Sequence, residues 1–294
     1  MRITSSHRFQ ILNLPEYSLF LRYINKEYKP YKDEFYGEKD KLLFKYPFFT
    51  RVNAKRCYLT LKYFSIYFPK KGSRIIDIGG YPGTILKLIR KYSNLNSLLL
   101  YQCGLYDDPA FLNEMEHYNI NVLPSVDIDP PVHYQKVLES KHNFNINLDN
   151  ETVDFVIATE IIEHLVYPLH LLAEANRILK PGGRLLITTP NIAKSSAWVR
   201  VLLGKSNLDP LEKTQICMRG NWRGHVRLYS NEELVTLLQI QKFGILKIKA
   251  FNDDYYWMIR SSLLRKTDFL IRVCIEFFLP WTKPGLLVIA EKNS

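Results

Sequence analysis

Two neighbouring stretches decide the fold. The first runs from Val153 to Leu165 and reads VDFVIATEIIEHL, and the second runs from Arg177 to Asn191 and reads RILKPGGRLLITTPN. Each contains an apolar run of strand length, and the glycine pair in the second stretch is typical of the end of a helix. The pattern predicts a buried strand, a helix, a glycine turn and a second buried strand, which is the repeating unit of a parallel sheet covered by helices.

A third stretch supplies the opening of such a unit. Residues 74–83 read RIIDIGGYPG, a short β-branched run that ends in glycines, and residues 84–92 follow with apolar side chains at helical spacing. Glycines at this position allow a tight turn and let backbone N–H groups approach a ligand. Further short apolar runs lie at residues 97–101, 120–128, 245–251 and 286–290. We therefore expect an α/β fold with a Rossmann-like, seven-stranded, mostly parallel sheet and helices on both faces.

The first part of the chain differs from the rest in composition. Residues 1–70 contain helical stretches broken by prolines, and we expect them to form a helical lid beside a main domain at residues 71–294. Residues 21–74 hold 14 Lys and Arg against 5 Asp and Glu, which is most of the net charge of +11, and aromatic residues are interleaved among them. Such a segment suits an anionic partner, and a solvated helical surface with aromatics packed on the core explains it equally.

A helical insertion is expected at residues 252–285, before the last strand. Its clearest part reads DFLIRVCIEFFL over residues 268–279, where Asp268, Arg272 and Glu276 recur every four residues and the others are apolar. This spacing predicts a helix with one thin polar stripe. The apolar girth must then be buried against the protein itself, a second subunit or a membrane surface.

Composition also bounds the location of the protein. The four cysteines have no paired spacing, so neither a zinc site nor a disulfide framework is expected. Polar residues interrupt the first apolar run, which argues against a signal peptide, and no run approaches the roughly 20 apolar residues that span a bilayer. We expect a cytoplasmic protein, with peripheral membrane association as an open alternative and no indication of its oligomeric state.

The strand, glycine-turn and helix stretches together resemble the class I S-adenosylmethionine (SAM)-dependent methyltransferases, over about residues 74 to 250. The motifs concerned are DIGGYPG at residues 77–83, EIIEHL at residues 160–165 and KPGG at residues 180–183. The resemblance implies a final strand that returns antiparallel between its predecessors. It also implies that SAM is the cofactor and that the activity is methyl transfer.

The resemblance also implies where the cofactor lies. Asp77 is expected under the methionine amino end of SAM, and the backbone around the turn is expected to line the methionine and ribose portion. The usual acidic ribose clamp is absent after the second strand, so Gln102, or Asp107 on a longer loop, stands in its place. The full set of expected cofactor residues is Asp77, Gly79, Gly80, Gly83, Gln102, Asp127 and Thr159. Asp127 is expected near the adenine amino group, although with Pro130 and Pro131 following it can simply shape a turn.

The acceptor side is expected to follow the fourth strand. Glu160, Glu163 and His164 have the spacing i, i+3 and i+4, which predicts that they share one face of a first helical turn. His164, with Glu163, is the candidate catalytic base for an acceptor hydroxyl. The acidic residues can instead compensate a helix dipole, and His164 can be structural. A capping box at Ser230 and Glu233 predicts a helix just after His225.

Glu160, Glu163, His164 and His225 together resemble the divalent-metal cluster of small-RNA terminal 2′-O-methyltransferases, which implies Mg²⁺ or Mn²⁺ as a further cofactor. The preferred prediction is O-methylation of a hydroxyl on a saccharide, a lipid-linked glycan or a small metabolite. This prediction includes acceptors that are anionic. The alternatives are metal-assisted methylation of an RNA ribose, which makes nucleic acid the partner, and a catalytically idle protein that keeps the fold.

Overall fold

The computed structural model describes most of the chain in nine segments. They are residues 11–27, 46–69, 73–95, 97–105, 109–129, 144–202, 204–207, 224–252 and 263–293. Asp107, much of the basic N-terminal segment and parts of the insertion therefore lie outside the described residues.

The described strands form one sheet of seven. They are β1 (Arg74–Ile78), β2 (Leu99–Cys103), β3 (Ile120–Val122), β4 (Val153–Thr159), β5 (Leu179–Pro190), β6 (Phe243–Phe251) and β7 (Gly285–Lys292), in the spatial order β3-β2-β1-β4-β5-β7-β6. The pairs from β3 to β5 are parallel, and β7 is antiparallel to both of its neighbours, β5 and β6. This confirms the expected sheet and the expected placement of its last strand.

Helices cover both faces of this sheet. They are α1 (Tyr17–Glu27), α2 (Tyr46–Tyr67), α3 (Thr84–Tyr92), α4 (Pro109–His117), α5 (Pro168–Ile178), α6 (Ser195–Leu202), α7 (Asn231–Ile240) and α8 (Leu263–Phe278). One core cluster joins α1, α2 and α3 to one side of the sheet, where Phe64 of α2 packs edge-on against Phe155 of β4. A second cluster holds α5 and α7 on the other side, and the capping box of Ser230 and Glu233 begins α7 as predicted.

The N-terminal helices share their core with the sheet. Ile11, Leu12 and Phe20 are buried in the same cluster as Ile75 of β1 and Ile157 of β4. A division of the chain at residue 70 stays a prediction. Any movement of this segment as a lid has to separate these apolar contacts.

The third strand is shorter than the apolar run at residues 120–128 predicted. β3 ends at Val122, and Pro124 follows, which has no N–H to donate to a ladder. Asp127 and Asp129 therefore lie in the loop beyond the strand. The Asp129 N–H donates to Asp127 Oδ1 at 3.1 Å, as in an Asx turn.

The expected helical turn after β4 is wrong in type. Glu160 has φ 53, residues Ile162–His164 form a single 3₁₀ turn, and α5 begins only at Pro168. Proline suits the first helical position because it has no N–H to leave unpaired. The N–H groups of Val166 and Tyr167 donate to the Asp129 carboxylate at 3.0 and 2.8 Å, which fixes the chain before the helix.

The insertion contains the predicted helix, α8, and its apolar side is not buried against the described part of this chain, which leaves a second subunit or a membrane surface of the three expected alternatives. The polar residues Arg272 and Glu276 are buried, and most of the apolar residues from Leu270 to Phe278 are exposed. Glu276 accepts hydrogen bonds from Ser195 Oγ and Asn252 Nδ2, both at 2.8 Å, so both oxygens of this buried carboxylate are satisfied inside the protein. None of the described helices has the length and apolar character needed to cross a membrane.

Candidate functional site

A buried carboxyl marks the end of the first strand. Asp77 of β1 is paired in register with Gln102 of β2 on one side and Ile157 of β4 on the other, and it is fully buried. Neither of its carboxylate oxygens has a hydrogen-bond partner among the described residues. Burial raises the pKa of the Asp77 carboxyl to about 8. A buried polar group without a partner is costly and indicates a site where a ligand group can supply one.

The glycine turn lies directly against this carboxyl. Gly79 (φ 73) donates its N–H to the Cys103 carbonyl at 2.7 Å, and Gly83 (φ 75) donates to the Gly80 carbonyl at 2.7 Å. A Cβ on Gly80 would lie 2.0 Å from Asp77 Oδ2, and one on Gly79 would lie 2.3 Å from Ile161 Cδ1. Positive φ and close approach together require glycine here. The turn thus holds bare backbone above the Asp77 carboxylate.

The other three expected cofactor residues lie around this turn at different depths. Gln102 is buried, and its Nε2 donates to the Asp77 carbonyl at 3.2 Å, so its amide is oriented by the first strand. Thr159 ends β4 and is half-buried at the same edge of the sheet. Asp127 is half-buried in the loop after β3. Their contacts with a cofactor stay predictions.

A carboxylate and two imidazoles meet beyond β4. Ligand atoms of Glu163, His164 and His225 all lie within 4.8 Å of one another. The rings of His164 and His225 have centroids 4.9 Å apart, and His164 Nε2 lies 3.8 Å from Glu163 Oε1. Both histidines are half-buried, whereas Glu163 is fully buried. We call these three residues the Glu-His-His cluster.

Glu163 is the fixed centre of this cluster. Thr189 Oγ1 of β5 donates to its Oε2 at 2.9 Å, and its carbonyl accepts the N–H groups of Val226 and Arg227 at 2.8 and 3.2 Å. The last two bonds hold the loop that carries His225. Burial, and then the negative charge of Glu160, raises the pKa of the Glu163 carboxyl well above its usual range.

Glu160 does not join the other three residues of the predicted metal set. Its carboxylate forms an ion pair with Arg56 of α2 at 2.9 Å and accepts a hydrogen bond from Thr188 Oγ1 at 3.0 Å. Its left-handed backbone is uncommon for a residue other than glycine and turns the chain sharply after β4. Glu160 therefore connects β5 to an N-terminal helix.

Helix α2 reaches the cofactor edge, which the sequence did not indicate. Besides Arg56, it places the buried Cys57 within electrostatic range of Asp77 and Glu160, and burial is the main cause that raises the pKa of this thiol. Thr189 was missed as well, although it lies near the end of β5, an apolar strand whose end meets the site. Arg56 has no local signal, because its partner is more than a hundred residues away in the sequence.

A cavity of about 660 Å³ lies between the start of α5 and helix α7, and none of the three cluster residues is among its lining residues. Its lining includes Leu165, next to His164, and Val226 and Arg227, next to His225. Tyr229 also lines it, and burial is the main cause that raises the pKa of its phenol to about 12. The cavity therefore combines apolar and polar walls, and its link to the cluster is through residues that are next to His164 and His225 in the sequence.

Comparisons with known proteins identify the family of this chain. A family model described as a methyltransferase domain matches residues 51–247, from within α2 to within β6. A curated relative, an uncharacterized 37.1 kDa protein in a Streptomyces fradiae transposon, is 25% identical over 122 residues, which are 42% of this chain. That match spans only 31% of the relative's length.

Similar solved structures have low sequence identity to this chain. One is a chain of the complex between the Haloferax volcanii Trm112 methyltransferase activator and a protein assigned as a methyltransferase. It is 16% identical, with a TM-score of 0.51, over 82% of this chain and 92% of that one. Another is a SAM-dependent methyltransferase from Archaeoglobus fulgidus, which is 18% identical, with a TM-score of 0.49, over 80% of this chain and 92% of that one.

Proposed function

Because the chain belongs to the class I SAM-dependent methyltransferases, we propose that it binds SAM at the carboxyl ends of β1 and β2 and transfers the methyl group to an acceptor hydroxyl. The observation that carries the proposal is the buried Asp77 carboxylate, which has no hydrogen-bond partner among the described residues and lies under a glycine turn. SAM fits this place, because it brings an ammonium group and a sulfonium charge to a carboxylate that lacks a partner.

The cofactor end of the site uses backbone and one acid. Gly79, Gly80 and Gly83 leave room for the cofactor, Asp77 faces its positive charge, and Gln102, Asp127 and Thr159 contribute polar contacts around it. When bound, SAM supplies an electrophilic methyl group. The protein then has to align an acceptor with that methyl group and exclude water from the line of transfer.

The acceptor end uses the Glu-His-His cluster. His164 removes the proton of the acceptor hydroxyl, and the buried Glu163 positions His164 through the contact at 3.8 Å. His225 packs beside His164, and the cavity between α5 and α7 holds the rest of the acceptor. A saccharide, a lipid-linked glycan or another small hydroxyl compound is the acceptor class that we propose.

The experiment that tests this function is calorimetric titration with SAM and S-adenosylhomocysteine, followed by transfer of labelled methyl groups to a panel of hydroxyl acceptors. We expect His164→Ala to bind SAM within a few-fold of the wild type and to lower transfer by roughly 10²-fold or more, the usual loss for a general base. His117→Ala is the matched control, because His117 ends α4 away from the cluster. Equal turnover of wild type and His164→Ala contradicts the assignment of the base, and absence of SAM binding favours the idle protein.

Binding of a divalent metal ion is a second role for the same three side chains. One carboxylate and two imidazoles are donors that suit Mn²⁺ or a related ion, and Glu163, His164 and His225 have the required proximity. Such an ion lowers the pKa of a coordinated hydroxyl. Repeating the transfer assay with EDTA and then with added Mn²⁺ or Mg²⁺ separates the two uses. Loss of transfer with EDTA, restored by metal, supports the ion and brings RNA ribose into the acceptor panel.

A further inference from the structure

An exposed apolar surface lies beside the candidate site and has no role in the proposed chemistry. On α8 it comprises Leu270, Ile271, Phe277 and Phe278, and Leu202 of the neighbouring helix α6 and Trp281 after α8 are exposed as well. Phe277 is 79% exposed, Phe278 is 76% exposed and Leu202 is 85% exposed. Large apolar side chains grouped in this way on a protein surface mark an interaction site. We call this group the α6/α8 face.

Hydrogen bonds to the polar side of α8 fix the orientation of the α6/α8 face. Ser195 of α6 donates to Glu276 of α8, and Asn252 donates to the other oxygen of the same carboxylate. The polar side of α8 is thereby held inside, and the apolar side is presented outward. At 100° per residue, the exposed residues from Leu270 to Phe278 cover one continuous arc of the helix, and none of them is charged.

This face shares an edge of the sheet with the Glu-His-His cluster. Thr189, near the end of β5, donates to Glu163, and Asn191, two residues later, donates its amide to the carbonyls of Trp281 and Lys283 at 2.8 and 2.7 Å. One short segment therefore touches both the cluster and the start of the apolar surface.

Basic residues are in excess in the two segments that flank α8, whereas α8 itself contains both acidic and basic residues. Residues 192–208, which include α6, contain Lys194, Arg200 and Lys205 and no Asp or Glu, and residues 277–290 contain Lys283 and no Asp or Glu. An excess of basic residues in the segments next to the exposed Phe, Leu and Trp side chains matches a surface that is anionic outside and apolar inside. A second copy of the chain matches less well, because a symmetric contact brings the same positive charges together.

We propose that the α6/α8 face docks on an anionic lipid bilayer, with Phe277, Phe278 and Trp281 inserted at the level of the headgroups. The docking itself does not depend on the enzyme's activity. Its consequence for the acceptor rests on the proposed function: the candidate site then opens next to the bilayer, and the acceptor is an amphiphile whose hydroxyl stands at the membrane surface.

The first test is co-sedimentation with vesicles, using the full chain without SAM. We expect the wild type to pellet with vesicles of phosphatidylcholine and phosphatidylglycerol in equal amounts, and less with phosphatidylcholine alone or at high salt. Phe277→Ser with Phe278→Ser should lower the partition coefficient by roughly tenfold or more, since two large aromatic side chains leave the interface. A wild type that stays in the supernatant, or a double variant that binds as the wild type does, overturns the proposal.

The matched control is Leu99→Ser with Ile240→Ser. These residues are 42% and 57% exposed, at the start of β2 and the end of α7, where the chain enters the opposite edge of the sheet. This control should bind vesicles as the wild type does. Light scattering on the wild type and on both double variants tests whether a second copy of the chain covers this face instead of a bilayer. A wild-type dimer that Phe277→Ser with Phe278→Ser converts to a monomer overturns the bilayer as the occupant.

A label locates the contact directly. Cys274 is exposed on the same arc of α8, whereas Cys57 and Cys103 are buried. In a Cys217→Ser background, an environment-sensitive fluorophore on Cys274 should shift its emission to the blue when mixed vesicles are added. Pelleting without that shift overturns docking through this face. A protein that binds vesicles but not SAM keeps this inference and loses the proposed function, and the reverse result does the opposite.

Discussion

At the scale of single residues, Asp77 combines a buried position with a charge that a ligand has to meet. Because burial raises the pKa of its carboxyl to about 8, most Asp77 side chains carry a proton at pH 7 when no ligand is bound. A cationic cofactor favours the ionised form, so binding has to release that proton. The dependence of the SAM affinity on pH therefore reports on the Asp77 side chain.

We expect the affinity for SAM to increase with pH and then level off. Below a pH of about 8, the dissociation constant should fall by up to tenfold per pH unit, because each unit raises the ionised fraction of Asp77 by up to that factor. Calorimetry in buffers of different ionisation enthalpy measures the proton release directly. Asp77→Asn should bind SAM weakly with no such dependence, and a flat wild-type profile contradicts the contact.

The same carboxyl affects stability in the absence of a ligand. Its pKa in the folded protein is higher than in the unfolded chain, so folding retains a proton that unfolding releases. The stabilisation is complete below a pH of about 4 and is lost as the pH rises towards about 8, with a slope of up to about 1.4 kcal/mol per pH unit. Urea unfolding across this range, compared with Asp77→Asn, isolates the contribution. Parallel curves for the two proteins contradict the raised pKa.

At the scale of elements, the sequence predicted most where the signal was local. The run at residues 153–159 and the helix at residues 84–92 have the predicted bounds, because buried side chains with strand or helix spacing define both. The glycine turn and Asp77 are equally local. The turn after β4 was missed because its geometry depends on Asp129, a residue that precedes it by more than 30 positions.

Helix α8 shows a second limit of what residue spacing in the sequence can predict. The spacing of Arg272 and Glu276 predicted a helix with two different faces, and that helix is present. The spacing does not say which face is inside, because that depends on whether the polar side finds partners. Ser195 and Asn252 supply those partners from two other elements. Arg56 and Thr189 were missed at the candidate site for the same reason.

Helix α2 should contribute strongly to stability through Phe64. This side chain is fully buried, and its ring centroid lies 5.0 Å from that of Phe155 in β4. Phe64→Ala should lower the free energy of unfolding by about 3 to 5 kcal/mol, as is usual when a core aromatic is removed. Ile66→Ala, at a half-buried position of the same helix, is the control in urea unfolding. If both variants lower the free energy of unfolding by similar small amounts, the result contradicts tight packing of α2 against the sheet.

At the scale of the whole molecule, α2 is both part of the core and a neighbour of the candidate site. Its apolar side packs with the sheet, and Arg56 and Cys57 reach Glu160 and Asp77 at the cofactor edge. Helix α2 is expected to move differently if it is a lid than if it is a core helix. A lid opens without the sheet, whereas a core helix leaves only when the sheet unfolds.

Cysteine labelling distinguishes these behaviours within one protein. Cys57 of α2 and Cys103 of β2 are both buried, so each is labelled only when its surroundings open. With Cys217 and Cys274 replaced by Ser, we expect both thiols to react at the same slow rate in native buffer, because the same apolar core covers α2 and the sheet. Mass spectrometry of peptides after timed alkylation measures the two rates. Faster labelling of Cys57, slowed selectively by SAM, shows instead that α2 opens as a lid over the carboxyl ends of the strands, and equal rates contradict a lid that opens without the sheet.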